Sequence, residues 1–428
     1  MNGIFVKPAR KVLGEIRVPG DKSISHRGAL FGGMAVGETH ITGFLPGEDC
    51  LSTLRCLQGL GVEWERRGTE VWVRGRGMDE WQEPADVLDV GNSGTTIRLM
   101  LGALVGSPFA ATLTGDPSIR RRPMRRVTGP LRAMGASIIG RQDGNLAPLT
   151  VNGGSLKGQD LQVAVASAQV KSALLLAGLR AAGTTSVTEP ALSRDHTERM
   201  LAGFGVPVER EGTKVSVRGG VRLRAQTVAV PGDISSAAFF LVLAAAAGEG
   251  EILLPGVGIN PTRTGILDVL WDMGADIAVL DETEACGEKR ATLRVRPAPL
   301  RGIEIGGAII PRLIDEIPVL AVAMCCADGE SVVRDAGELR VKESDRIRTV
   351  VDGLQALGGR IEELPDGFRI WGQGSLRGGQ VEAHSDHRLA MAWAVAGKLS
   401  REGVSVAGTE AAAVSYPEFF RDLERVSQ

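Results

Sequence analysis

VPGDKSISHR (Val18–Arg27) follows an extended apolar run, turns at a short polar corner, then opens into an Ala/Leu-rich helix. Nearly the same corner returns as VPGDISSAA (Val230–Ala238). Four variants complete the set: DVGNSGTTIR (Asp89–Arg98), VASAQVKSA (Val165–Ala173), IPRLIDEIPV (Ile310–Val319) and AHSDHRLAM (Ala383–Met391). Each puts small or ionisable residues at a helix start, where unpaired N–H groups and the positive end of the helix dipole point outward. Several such ends converging on one cleft form an anion site, so the repeat bears on both fold and ligand.

The segments between the corners repeat as well. After each corner helix comes a short strand (ETHITGF, FAATLTG, TTSVTEP, GEILLPG, ESVVRDA, GVSVAGT). A second, amphipathic helix then ends in Gly, as in LRCLQGLG and TERMLAGFG, and a hairpin such as VEWERRGTEVWVRGRG closes the unit. The unit reads βαβαββ and recurs about every 70 residues, longer than solenoid repeats. The sixth stops after YPEFFRDLERVSQ, while FVKPARKVLGEIRVPG (Phe5–Gly20) reads as an unattached strand pair. The simplest closure gives an α/β protein of two similar domains, each of three units. One domain takes residues 21–231 (units one to three). The other takes 1–20 and 232–428, joining units four to six with the N-terminal strands. The chain is expected to cross between them twice, near Pro19-Gly20 and Pro231-Gly232, as a hinge, with the active site in the cleft between the domains.

Composition agrees and excludes several classes. A chain of 428 residues is too long for one core. A net charge of −2 argues against a bulk nucleic-acid partner, and the one basic block is IRRRPMRR (Ile119–Arg126), by itself the mark of a solvated face. AFFLVLAAAAG is about half the length of a membrane span. Lys7, Arg10 and Lys11 precede no apolar stretch, so no secretory signal is expected. The five cysteines (Cys50, Cys56, Cys286, Cys325, Cys326) show no disulfide or zinc spacing, which favours a reducing cytoplasm, and Cys325-Cys326 falls in an apolar helix. GDKS lacks the spacing of a P-loop, G-x-S-x-G and H-E-x-x-H are absent, and His384 and His387 around Asp386 are a weak metal signal. No metal or cofactor is expected.

GDKSISHR, GNSGTTIR, RRPM, SAQVKSALLLAG, PRLIDEIPVLAV, LRVKESDRI and SDHRLAMA, in that order from about Lys7 to Pro417, resemble the 5-enolpyruvylshikimate-3-phosphate synthase family. The resemblance implies the enolpyruvyl transferase fold, an inverse α/β barrel in each of two domains. It implies transfer of the enolpyruvyl group of phosphoenolpyruvate to the 5-hydroxyl of shikimate 3-phosphate, releasing phosphate. Residues matching the family's contacts to shikimate 3-phosphate are Lys22, Ser23, Arg27, Ser167, Ala168, Gln169, Arg194, Asp315 and Lys342. Those matching its phosphoenolpyruvate contacts are Lys22, Asn92, Gly94, Thr95, Arg122, Gln169, Arg346 and Arg388. The catalytic candidates are Lys22, Asp315 and Glu343, because the reaction moves protons at the hydroxyl and at the methylene carbon. Asp315, as a single carboxylate at a corner that otherwise faces anions, is the candidate base. Both substrates are anions, so cations and helix ends must offset their repulsion.

Plainer readings stand beside these. Asp315 alone reads as an N-cap, Glu343 and Arg346 as an i,i+3 surface pair, and Ser167 as a cap without a ligand. Lys171 points either at the cleft or at solvent. Ala168, Arg194 and Val414 depart from many members, and SAQVK, SRDHTE and NPTR look like the subgroup called class II, some of whose members tolerate the inhibitor glyphosate. The sister enzyme acting on UDP-N-acetylglucosamine typically carries a loop cysteine that GDPSIRRRPMRR lacks. A non-catalytic anion-binding repeat protein would not need Asp315 and Glu343. A cytoplasmic monomer with no nucleic-acid or membrane partner is expected.

Overall fold

The strands that lead into the two VPGD corners are exchanged between the halves of the chain. Lys11–Glu15, ahead of the first corner, pairs in parallel with Glu249–Gly258. Thr227–Ala229, ahead of the fourth, pairs in parallel with Val36–Thr42. In this computed structural model, which describes residues 3–285 and 287–428, the chain forms two compact units. One comprises residues 20–230 with 285–288; the other comprises 1–19, 231–284 and 289–428. Cys286 lies outside the described residues.

Within residues 20–230 three four-stranded sheets share one plan, a parallel pair followed by an antiparallel hairpin. They run Thr227–Ala229, Val36–Thr42, Glu70–Arg76, Glu63–Arg67; then Leu88–Asp89, Ala111–Thr114, Leu146–Asn152, Ser137–Gly140; then Asp160–Gln162, Thr184–Thr188, Lys214–Arg218, Val208–Glu211. The other unit repeats the plan twice, and its last sheet has three strands: Gly3–Val6, Val404–Ala407 and Gly379–Glu382. Here the expectation of an N-terminal strand pair is corrected. Gly3–Val6 runs antiparallel to Val404–Ala407, whereas Lys11–Glu15 joins a different sheet. Gly3–Val6 covers the edge of Val404–Ala407 that a hairpin strand covers in the other sheets.

The six corner helices are the cores of the units. Lys22–Met34, Gly94–Leu104 and Ala168–Arg180 are buried on nearly every face, as are Ile234–Ala246, Ile317–Cys326 and His387–Leu399. Their sequences are rich in Ala, Leu and Gly all round, the pattern of a helix packed on every side. AFFLVLAAAAG is such a helix, and among the described residues none is long and apolar enough to cross a membrane. Cys50, Cys56 and Cys325 are buried thiols, and burial raises Cys56 to about 12.

Glycine lets two of these helices touch backbone to backbone. A Cβ on Gly102 would lie 2.1 Å from the Ala173 carbonyl oxygen, so even a methyl group requires Gly94–Leu104 and Ala168–Arg180 to separate. Overpacking of this kind costs about 1–3 kcal/mol, and backbone contact leaves no rotamer to absorb it. Gly102→Ala should therefore lower unfolding free energy by about 2 kcal/mol or more in urea titrations. A midpoint equal to wild type would show that the helices tolerate separation.

Candidate active site

In residues 20–230 the first three corners are tied together by side chains. Asp21 caps its helix by accepting from the Ile24 N–H at 2.9 Å. Lys22, next in line, pairs its ammonium with the carboxylate of Asp49, from the first turn of Glu48–Gly59. Ser23 is half-buried, and its carbonyl accepts from Arg27 at 3.0 Å. Arg27 is buried more deeply than a lone anchoring cation would be. Its Nε donates to Thr197 Oγ1 at 2.7 Å and Nη2 to Ser172 Oγ at 2.8 Å, and desolvation lowers its pKa to about 10.

The second corner carries two glycines with different jobs. Gly91 adopts a left-handed φ of 58°, which makes the turn. Gly94 does not, and what it provides is space: a Cβ there would meet the guanidinium nitrogens of Arg122 and Arg98, each at 3.0 Å. Two arginines thus crowd one helix start whose Ser93 cap accepts from the Thr96 N–H at 3.0 Å. Arg122 donates to Asn92 Oδ1 at 3.0 Å, and Asn92 in turn donates to Asp116 at 2.7 Å. Arg98 binds the Gln169 side-chain oxygen, while Gln169 Nε2 donates to Thr95 Oγ1 at 2.9 Å. Asn92, Gly94, Thr95, Arg122 and Gln169 are therefore one neighbourhood.

At the third corner Ser167 is the N-cap of Ala168–Arg180 but makes no side-chain capping bond, unlike Asp21 and Ser93. Its N–H donates to Glu189 at 3.1 Å, and Ala168 is half-buried beside it. The solvent-facing reading of Lys171 does not hold. It is buried, with Glu189 and Glu198 each at 2.7 Å from its ammonium, because a charge inside a helix core is tolerated only when paired. Arg194 is half-buried, next to Ser193, whose hydroxyl donates to Glu189 at 2.6 Å.

The other unit gathers the remaining residues around one arginine. Arg346, 1% exposed, spans three carboxylates. Its Nε lies 2.8 Å from Asp386 Oδ2, Nη2 lies 2.7 Å from Glu343, and Nη1 lies 3.4 Å from Asp315. Burial alone would weaken the guanidinium, but the three acids raise its pKa overall. Against the same burial, Arg346 holds Asp386 below the usual carboxylate range. Lys342 also approaches Asp315, at 3.2 Å. Three expectations change here. Glu343–Arg346 is no surface pair, and Asp315 is not a lone carboxylate but sits between two cations. Nor does Asp315 cap the next helix, whose N-cap is Glu316. Asp386 does cap His387–Leu399, accepting the Arg388 N–H at 2.9 Å. Arg388 itself is buried at that helix start. Among the described residues no cluster of three or more His, Cys, Asp or Glu is set to hold a metal, and Asp386 is committed to Arg346.

Asp49, Arg98, Glu189, Glu198 and Asp386 are the partners that motif reading passed over. Arg98 and Asp386 stand inside quoted corners; for Arg98 the available signal was a charge on an otherwise apolar helix, and for Asp386 an acid just before one. Asp49, Glu189 and Glu198 lie outside the six corners; Glu189 falls in TTSVTEP and Glu198 in SRDHTE, but pairing with a lysine far away in the chain leaves no mark in their spacing.

A buried chain of hydrogen bonds ties the first corner to the second. His26 Nδ1 pairs with Thr53 Oγ1 at 2.8 Å, Thr53 with Thr96 at 2.8 Å, and Thr96 with Ser93 at 2.7 Å. Burial keeps the imidazole neutral, lowering its pKa from 6.5 to about 3. A pKa depressed on folding means the unfolded chain takes the proton first. Stability is then complete above pH 6.5 and declines as pH falls toward 3. By about pH 5 this one group should cost about 2 kcal/mol relative to neutral pH. Urea titrations at the two pH values should show a smaller acid loss for His26→Gln than for wild type; equal losses would remove His26 from the acid response.

Comparison with known proteins gives one answer. The EPSP synthase (3-phosphoshikimate 1-carboxyvinyltransferase) family model matches residues 6–423. A 3-phosphoshikimate 1-carboxyvinyltransferase of Desulfitobacterium hafniense is 67% identical over 426 residues, covering 100% of this chain and 98% of that protein. That of Gloeobacter violaceus is 57% identical, covering 99% and 98%. The solved EPSP synthase of Acinetobacter baumannii superposes with a TM-score of 0.89 at 44% identity, covering 99% of this chain and 97% of its own. With the repeat, the corner geometry and the full-length match in agreement, this chain belongs to the EPSP synthase family.

Proposed function

We propose that the protein transfers the enolpyruvyl group of phosphoenolpyruvate to the 5-hydroxyl of shikimate 3-phosphate, on the route to chorismate and the aromatic amino acids. The observation that carries this reading is the clustering of acids with bases at helix starts, Asp315 and Glu343 beside Lys342 and Arg346, in a chain matched over residues 6–423. Cations alone would serve an anion-binding protein. Carboxylates among them give the acid–base groups that an addition–elimination needs.

In this proposal Lys22, Asn92, Gly94, Thr95, Arg122, Gln169, Arg346 and Arg388 hold phosphoenolpyruvate. Lys22, Ser23, Arg27, Ser167, Ala168, Gln169, Arg194, Asp315 and Lys342 hold shikimate 3-phosphate. The hydroxyl oxygen bonds to C2 of phosphoenolpyruvate and gives its proton to Asp315, while the methylene carbon gains a proton to become methyl. The tetrahedral adduct then loses a methyl proton and phosphate, restoring the double bond. Lys22 and Glu343 carry the protons at the carbon and at the departing phosphate. Glyphosate is proposed to compete for the phosphoenolpyruvate neighbourhood around Gly94, and the enzyme to act as a monomer in the cytoplasm. The absence of cysteine from residues 115–126 favours the shikimate substrate over a UDP-sugar.

Phosphate release decides the function: it should require phosphoenolpyruvate and shikimate 3-phosphate together. Release with UDP-N-acetylglucosamine instead, or none with either, would overturn the assignment. Asp315→Ala should fold and bind shikimate 3-phosphate, since Arg346 keeps Glu343 and Asp386 as partners. Its turnover should fall by about 10²–10⁴, the usual worth of one positioned base. Turnover within about threefold of wild type would take Asp315 out of the proton path.

A further inference from the structure

Glu189 is engaged from three directions inside residues 20–230. The Ser167 N–H donates to Oε1 at 3.1 Å, from the third corner. Ser193 donates its N–H to Oε2 at 3.4 Å and its hydroxyl to Oε1 at 2.6 Å, from the loop before the helix His196–Gly203. The Lys171 ammonium lies 2.7 Å from Oε2. Glu189 and Lys171 are both buried, and Glu198 completes the cluster at 2.7 Å on the other side of the lysine.

A buried cluster of one ammonium and two carboxylates is a poor stabilising device. Desolvating ions costs several kcal/mol each, and a well-packed apolar set often does as well. What such a cluster provides is a fixed position. Here the position is shared by two segments distant in sequence: one carries Ser167, and the other carries Ser193 beside Arg194. Ser167 caps its helix without spending its hydroxyl on the backbone, so that group stays available to a ligand once its main chain is held.

We propose that Glu189 is a positioning residue for shikimate 3-phosphate, with Lys171 as its anchor. The carboxylate ties the third corner to the 190–194 loop, so that Ser167 and Arg194 present themselves to the substrate as one preformed surface. The inference rests on the proposed assignment of Ser167 and Arg194 to shikimate 3-phosphate. Glu189 does not touch substrate; it removes the ordering cost that two independent loops would otherwise meet on binding.

Steady-state kinetics on three variants test this. Glu189→Gln keeps the shape of the side chain and leaves Lys171 paired with Glu198. It should raise KM for shikimate 3-phosphate about tenfold, with kcat and KM for phosphoenolpyruvate within about threefold of wild type. Ser193→Ala removes one arm without touching the buried charges and should raise the same KM to a smaller extent. It decides the matter if Glu189→Gln folds poorly. Ser167→Ala tests the underlying assignment directly. If Ser167→Ala raises this KM while Glu189→Gln and Ser193→Ala leave it unchanged, or merely lower the melting temperature, the positioning role is overturned and the assignment stands. If none of the three changes it, the assignment itself fails.

Discussion

A helix buried on all sides meets water and ligands only at its ends, and this constraint governs both units. Their core helices spend almost every residue on apolar packing, so polar chemistry is confined to the first turn. Four of the six starts pair one N–H group with a capping side chain of their own: Asp21, Ser93, Asp233 and Asp386. The starts at Ser167 and Glu316 do not. Dipole, unpaired donors and clustered arginines therefore coincide at fixed points of the fold, which is the environment a phosphorylated substrate requires.

The cations at these starts are pre-arranged by protein partners. Lys22 leans on Asp49, Arg122 on Asn92, Arg98 on Gln169, and Arg346 on three acids. Each partner fixes the direction of a flexible side chain before any substrate arrives, which lowers the ordering cost of binding. The fourth corner follows the same rule without a proposed ligand. Arg263 of NPTR donates to Asp233 at 3.1 Å and to Ser235 at 2.7 Å, and Ser235 in turn binds Glu316. That buried set links the fourth corner to the residue beside Asp315, so part of the subgroup-like pattern read in the sequence is structural.

The sequence carried much of this openly. Six corners in one order specify six helix starts, and the caps at Asp21, Ser93, Asp233 and Asp386 are local events that a few residues decide. The all-apolar character of segments such as AFFLVLAAAAG determined that those helices would be core. The residue types at the corners, small groups and cations at helix starts, pointed to an anionic ligand.

Only the tertiary structure decided which strand fills which edge and which acid meets which base. Lys11–Glu15 and Gly3–Val6 are separated by a few residues yet serve different sheets, because an open edge accepts whatever strand the closed unit brings to it. Lys171, whose placement spacing left open, proved to be a core ion because Glu189 and Glu198, 18 and 27 residues onward, fold against it. Asp315 likewise turned from a lone carboxylate into the partner of Lys342 and Arg346. Capping and periodicity act over one or two helical turns and can be read along the chain. Ion pairing and edge filling act through space between residues far apart in sequence, so their partners are fixed only when the chain closes.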